Sequence, residues 1–593
     1  MNKRKHLLFI LLLAFCCIAF YAVKFYGPHW VETLYKNQSF STLNTIVHVK
    51  ENKNLDYYLG DVEIALLGPL KSVIAGLAFL CFCLVYLRGA STFWFGVAVF
   101  AYFLATRFEV LFNPPLGEAI TGPFSDALWL VQNKLNYIGL LHQDTVATGG
   151  PQIYPTSLYT LFLATLMYAI PSVTAFLVVM HILVFAMAST VVALLRKISL
   201  KVFNPSVAML LALFLLAIPL FQSMAELINL EMPSLFFAMV CVYYLTQQRM
   251  LAASIAALSS IFTKDPGIIA CAAVFLFGLK IFITEPKRQG RFKFLAWGMI
   301  VVVITAVKSV VRSIIMGEQK VYNMVCPGCG WHNISYSIWF WIYIITLVIL
   351  IVSFLRHRKS IDTETGLMFL MTGLWFMLFT NFLTLTYRYQ LLFLPFLIFC
   401  IGFYFFTIIR NEKVFRGILV FLIMFSFVCS HGLMYGNKRF TDCFPTHLER
   451  SLEYRNYLKL EQILAKKVES RFSGWAIVAP FQTAQLLFLP KLGYVTKPLD
   501  VTVYSMRATL GLKPYTGYAD LNILRTIWIG FPHHGFHGIK FPYPIDPNDR
   551  IVDKIRVGHI EAVLFMGGTA IEKMRLTVLY MLQKGYIKPN PIK

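Results

Sequence analysis

Apolar stretches long enough to cross a bilayer recur along this chain, with short basic loops between many of them. MNKRKH is followed by LLFILLLAFCCIAFYAV, and further runs fall near residues 64–86, 92–111, 172–195, 206–221, 232–247, 250–263, 266–283, 294–312, 336–354, 366–384, 391–409 and 416–434. About 20 apolar residues in a helix span the hydrocarbon core, so the recurrence predicts a polytopic α-helical membrane protein of about 13 spans. Composition agrees: with 58% hydrophobic and 14% charged residues, a soluble fold of 593 residues could not hide its apolar surface.

A net charge of +24 suggests nucleic acid in a soluble protein. Here much of the basic charge lies in RKISLK (196–201), QQR (247–249), EPKRQGRFK (285–293), LRHRKS (355–360) and RNEKVFR (410–416). The positive-inside rule accounts for these loops, so no nucleic-acid partner is expected. Lys3, Arg4 and Lys5 set the N-terminus in the cytoplasm. No A-x-A-like site follows the first apolar run, which reads as an uncleaved helix. Residues 27–62, 112–155, 223–231, 263–267, 317–333 and 385–390 are then expected outside. SLYTLFLATLMYAI (157–170) is short for a span and reads as an interfacial helix.

Hydrophobicity falls after residue 436. Residues 451–472 have helical apolar spacing, WAIVAP (475–480) and AVLFMG (562–567) read as short buried strands, and 569–585 as a closing helix. The expected division is a transmembrane domain over 1–435 and a small external α/β domain over 436–593.

Chemistry is expected in the polar stretch 118–155, which carries Glu118, Asp126 and Asp144 where acids are scarce. Leu128, Leu130, Val131 and Leu135 suggest an amphipathic helix from near Ser125. Asp126 is then either a helix cap or a carboxylate taking a proton from a substrate hydroxyl. Lys264 and Arg388 are cations at helix ends: they either snorkel or hold a phosphate. Glu231, in LEMP, either orients an acceptor, pairs with Lys264, or precedes a Pro-started helix. No metal is required: a divalent ion on Glu118, Asp126 and Asp144 is conceivable, but no D-x-D spacing or His/Cys cluster backs it. Eight cysteines lie in or beside apolar runs as packing residues. Cys326 and Cys329, in CPGCGWHN, are expected to form a local disulfide.

Four segments in order resemble the GT-C superfamily of polyprenyl-phosphate-sugar-dependent glycosyltransferases, in particular the group of protein O-mannosyltransferases and lipid A aminoarabinose transferases. They are GPFSDALWLVQ with the following QD and GGPQIYP, the 217–245 helix pair with its Glu-x-Pro turn, AASIAALSSIFTKDPGIIA (252–270), and TLTYRYQLLFLPFLIF (384–399). The resemblance implies a polyprenyl-phosphate-linked sugar donor, a lipid, glycan or protein acceptor, inversion at the anomeric carbon, and a bacterial inner membrane. It implies Asp126 as base, Lys264 and Arg388 at the donor phosphate, and Glu118, Asp144, Glu231, Tyr387 and Tyr389 shaping the site. Two departures stand out: Ser125 precedes Asp126 where many relatives have a second acid, and three helices precede the loop where many have one. A transporter or lipid flippase, and an oligosaccharide ligase or polymerase, are the alternatives.

Overall fold

The computed structural model describes residues 3–36, 62–117, 119–137, 144–145, 150–151, 158–287, 289–316, 362–380, 387–409, 411–431, 451–475, 477–479, 481–503, 513–514, 521–527, 551–557 and 560–566. The chain is a polytopic α-helical membrane protein whose C-terminal part adds a mixed sheet. Its helices are α1 (Lys3–Lys36), α2 (Gly68–Phe82), α3 (Thr92–Thr106), α4 (Ser125–Gln132), α5 (Leu158–Ala169), α6 (Val173–Ser199), α7 (Pro205–Ala217), α8 (Pro219–Glu226) and α9 (Glu231–Thr246). They continue as α10 (Met250–Thr263), α11 (Ile268–Thr284), α12 (Arg291–Met316), α13 (Thr363–Thr380), α14 (Leu394–Ile408), α15 (Glu412–Val428), α16 (Tyr454–Phe472) and α17 (Phe481–Phe488).

Among the described residues, five helical stretches are long and apolar enough to cross a membrane: Gly68–Leu87, Val173–Ser199, Asp265–Thr284, Arg291–Val311 and Glu412–His431. A sixth is the pair α7 and α8, bent by 66°. The bend has a local cause. Pro219 forces Ile218 into extended backbone, φ −62° and ψ 128°, and the helix restarts at the proline. Other expected spans are shorter apolar helices, such as the 16 residues of α9. At about 1.5 Å per residue such a helix covers about 24 Å, less than the hydrocarbon thickness. The expected run at 336–354 and closing helix at 569–585 lie outside the described residues.

Two polar stretches are more ordered than their composition suggests. Over residues 27–36, α1 continues through Pro28 to Lys36. There Thr33 Oγ1 donates to the His29 carbonyl at 2.8 Å and His29 lies 3.5 Å from Glu32. The stretch 112–137 is also less open than its polarity suggests. Leu116, Ile120, Phe124 and Leu128 recur every fourth residue and are all buried, with the Phe124 ring edge-on to Phe176 of α6 at 6.1 Å.

Six of the eight described cysteines are buried, as packing residues should be; Cys17 is exposed and Cys81 half-buried, which does not fit that expectation.

The strands are β1 (Asp144–Thr145), β2 (Gly150–Pro151), β3 (Ile477–Ala479), β4 (Val501–Val503), β5 (Lys513–Pro514), β6 (Leu521–Ile527), β7 (Ile551–Val557) and β8 (Ile560–Met566). The first two form a small antiparallel ladder; the others form one sheet in the order β5-β4-β3-β6-β8-β7. Its first four strands are parallel, while β8 runs antiparallel to β6 and β7. Both expected strands, in WAIVAP and AVLFMG, are present as β3 and β8. Helix α16 packs on β7 and β8, and Lys467 reaches Asp553 at 2.6 Å.

This C-terminal part is fastened to one end of the helical bundle. Tyr494 donates to the Pro115 carbonyl at 2.8 Å, and Ser125 Oγ lies 3.2 Å from Gln485 Oε1. Gly493, at φ +89°, brings the backbone close to Val173, Leu177 and Pro114, a conformation that favours glycine. The connections carrying RKISLK, QQR, EPKRQGRFK and RNEKVFR lie at the other ends of the helices, so basic loops and C-terminal sheet are segregated. At that basic end Arg196 is buried and donates to the carbonyls of Leu87, Arg88 and Ala90 at 3.2, 3.3 and 3.0 Å, which locks the α2–α3 turn.

Candidate active site

Helices α9 and α10 form an antiparallel hairpin, tied by Ser234 Oγ and Ser260 Oγ at 3.1 Å. Its geometry returns the chain to the level at which α9 began, so Glu231 at the start of α9 and Lys264 just past α10 arrive at the same end. Gly267 fixes the turn that follows. A side chain there would meet the Ser260 carbonyl oxygen at 2.6 Å, so DPG folds tightly under α10.

Lys264 Nζ contacts Glu231 Oε1 directly, and Arg388 Nε lies 2.9 Å from the same oxygen. Arg388 comes from the 3₁₀ turn Tyr387–Leu392, which packs on α8 and α9. Both Glu231 and Arg388 are buried, and the Lys264 side chain is 9% exposed. The Lys264 ammonium sits 4.1 Å from the centroid of the Tyr389 ring, and the Arg388 guanidinium 5.6 Å from it. Beside them Lys308 bonds Asp265 at 2.9 Å and the Ile261 carbonyl at 2.5 Å. Two cations therefore meet one carboxylate, and among the described residues the cluster carries a net positive charge. Glu231 Oε2 is buried without a hydrogen-bond partner among the described residues. So is the hydroxyl of Tyr159, on α5, which lies within electrostatic range of Glu231.

Asp126 is fully buried on α4. It is not a cap: the backbone is already helical through Ile120–Phe124, and no side chain caps α4. Burial, and then the Asp126 charge, push the Tyr137 phenol up to about 12, which places the two groups near each other. Helix α4 packs on α5, and α5 packs on α10, whose end presents Lys264. The structure thus gathers Glu231, Lys264, Arg388 and Tyr389 into one cluster and sets Asp126 on a neighbouring helix. Glu118, Cys326 and Cys329, and the side chains of Asp144 and Tyr387, lie outside the described residues. So do two of the three acids considered for a metal; no three described His, Cys, Asp or Glu residues gather.

A second charged cluster escaped the sequence reading. Glu226, at the end of α8, is buried and receives Arg455 Nε at 3.0 Å, Arg455 Nη2 at 2.9 Å and the Tyr454 hydroxyl at 2.6 Å. Arg107 contacts the same Oε1 that takes Arg455 Nη2 and also donates to Gln222 Oε1 at 2.7 Å. The signal available was only that Glu226 and Glu231 share one acidic turn; their partners are far off in sequence.

No protein-family model matches the chain, and no curated protein matches it in sequence. Two solved structures align with most of it. The crystal structure of ArnT from Cupriavidus metallidurans bound to undecaprenyl phosphate is 13% identical over 80% of this chain and 98% of that chain, with a TM-score of 0.44. The structure of ArnT from the same organism in the apo state is 12% identical over 78% of this chain and 97% of that chain, also with a TM-score of 0.44.

Proposed function

We propose that this chain is an integral membrane glycosyltransferase of GT-C type that takes its sugar from a polyprenyl-phosphate carrier. The observation that carries this reading is the convergence of Lys264 and Arg388 on buried Glu231, at the end of the bundle where α4 presents Asp126. A polyprenyl phosphate leaving a sugar gains negative charge on its phosphate. Preorganised buried cations stabilise that charge more than they stabilise the donor, which is what lowers the barrier. Glu231 holds both cations in place until the phosphate arrives. Asp126 takes the proton of the attacking acceptor, a lipid, glycan or protein, and the anomeric carbon inverts. Tyr389 fixes the Lys264 ammonium by its ring face. The carrier's apolar chain lies in the bilayer between helices.

In this reading the basic loops face the cytoplasm, and residues 436–593 form an external domain over the site. The membrane is the bacterial inner membrane. Glu118, Asp144 and Tyr387 shape the acceptor side. The test is to incubate purified wild type and Asp126→Asn with a panel of polyprenyl-phosphate sugars and follow donor loss by mass spectrometry. Consumption of one donor by wild type alone, with the variant folded, supports the reading. Absence of both donor consumption and donor binding overturns it.

A further inference from the structure

A small cleft opens between α1, α2, the end of α3 and the start of α16, and Glu231 is not part of its lining. Lys24, Lys71, Arg107, Arg455 and His431 all line it. Phe20, Ala75 and Leu452 supply an apolar wall. Three carboxylates answer the four permanent cations. Glu109 bonds Lys24 at 2.6 Å, Glu63 contacts Lys71, and Glu226 holds Arg107 and Arg455. The balance is one positive charge.

Two buried nitrogens on residues that line this cleft have no partner among the described residues: Arg107 Nε and His431 Nε2, on residues 4% and 3% exposed. His431 Nδ1 is 2.8 Å from the Ser430 hydroxyl. When that hydroxyl donates, the neutral ring carries its proton on Nε2 and offers it as a donor. Buried donors left unmade are costly, and an oxyanion is the ligand that would satisfy several at once. Lys24 and Lys71 have side chains 21% and 19% exposed, so each can turn from its carboxylate toward an arriving anion.

We propose that this cleft is a second anion site, which holds a phosphate group and is distinct from the Lys264 and Arg388 cluster. The Arg107 Nε–H, two lysine ammoniums and an imidazole N–H together suit a tetrahedral, multiply charged oxyanion better than a single carboxylate. The apolar wall beside the cations suits the headgroup of a phosphate-bearing lipid, although a free phosphate shares the chemistry.

The test is binding of three probes to the purified protein by native mass spectrometry: phosphatidic acid, diacylglycerol of the same chains, and inorganic phosphate. The variants are Lys24→Gln/Lys71→Gln, each single change, and Lys264→Gln. The expected result is that phosphatidic acid binds and diacylglycerol does not, that the double variant weakens binding about tenfold or more with its melting unchanged, and that Lys264→Gln leaves binding intact. If inorganic phosphate binds as tightly with the same dependence on Lys24 and Lys71, the site stands with a soluble ligand. Should the double variant lose its fold, Lys71→Gln alone is read in its place. Binding that ignores both lysines, binding lost with Lys264→Gln instead, or no binding of either phosphate probe overturns the proposal.

Discussion

Glu226 and Glu231 stand at the two ends of one short turn between α8 and α9, and each is met by two cations from distant segments. Arg107 and Arg455 meet Glu226; Lys264 and Arg388 meet Glu231. The turn is thus a junction at which α3, the α10–α11 turn, the segment before α14 and α16 are all held together.

Glu231→Gln removes the carboxylate that Lys264 and Arg388 share. Breaking a buried pair from one side costs about 3–5 kcal/mol, because the remaining charge is left uncompensated. Lys264→Met leaves Glu231 with Arg388 and is expected to cost less stability. It is expected to lower donor consumption by about 10²-fold, the scale of losing one preorganised charge at a leaving group. Thermal melting and donor turnover of the two variants, measured side by side, separate these effects.

Glu226→Ala frees Arg107, Arg455 and Tyr454 together. The expected outcome is faster amide exchange across 451–472, read by hydrogen–deuterium mass spectrometry, with a loss of about 3–5 kcal/mol. If exchange there matches wild type, the cluster does not anchor α16.

Gly267→Ala drives a methyl group against the Ser260 carbonyl. Overpacking of this kind costs about 1–3 kcal/mol. Because the strain falls on the turn that carries Lys264, donor affinity is expected to fall alongside the melting temperature. A drop in melting with donor affinity preserved would show that the turn does not set the Lys264 position.

Glu469 gives a pH dependence of defined sign. Its carboxylate accepts from Thr496 N and Oγ1 at 2.6 Å each and from Lys497 N at 3.1 Å. Burial opposes ionisation, but these hydrogen bonds and the Lys497 charge outweigh it and hold the carboxyl below its ordinary value. A depressed folded value means stability that is present above the unfolded pKa of about 4.3 and is lost as pH falls through the folded one. Glu469→Gln is therefore expected to flatten the acid limb of melting temperature against pH by lowering the neutral value toward the low-pH one, which itself moves little.

Lys264, Arg388 and Glu231 were legible because each interrupts an apolar stretch, where a charge is expensive enough to need a reason. The helices were legible from the same hydrophobic runs, and β3 and β8 from short apolar segments in polar surroundings. The helix start expected near Ser125 falls too late. In the structure Pro123 lies inside the π-helical stretch Ile120–Phe124, whose wider turn accommodates the missing N–H, so the helix runs on and buries Asp126. The Glu226 cluster was illegible for a different reason: Arg455 lies 229 residues away, and no local pattern encodes a pairing at that distance.

That separation also orders biosynthesis. Glu226 and Arg107 are both made long before Arg455, so during translation the acid has one cationic partner and must wait for the other until nearly the whole bundle has left the ribosome. Helix α16 then closes the Glu226 cluster from outside, as the last charge to arrive. A nascent chain halted before Arg455 is expected to hold the α8–α9 turn loosely, open to protease, and to tighten when translation resumes.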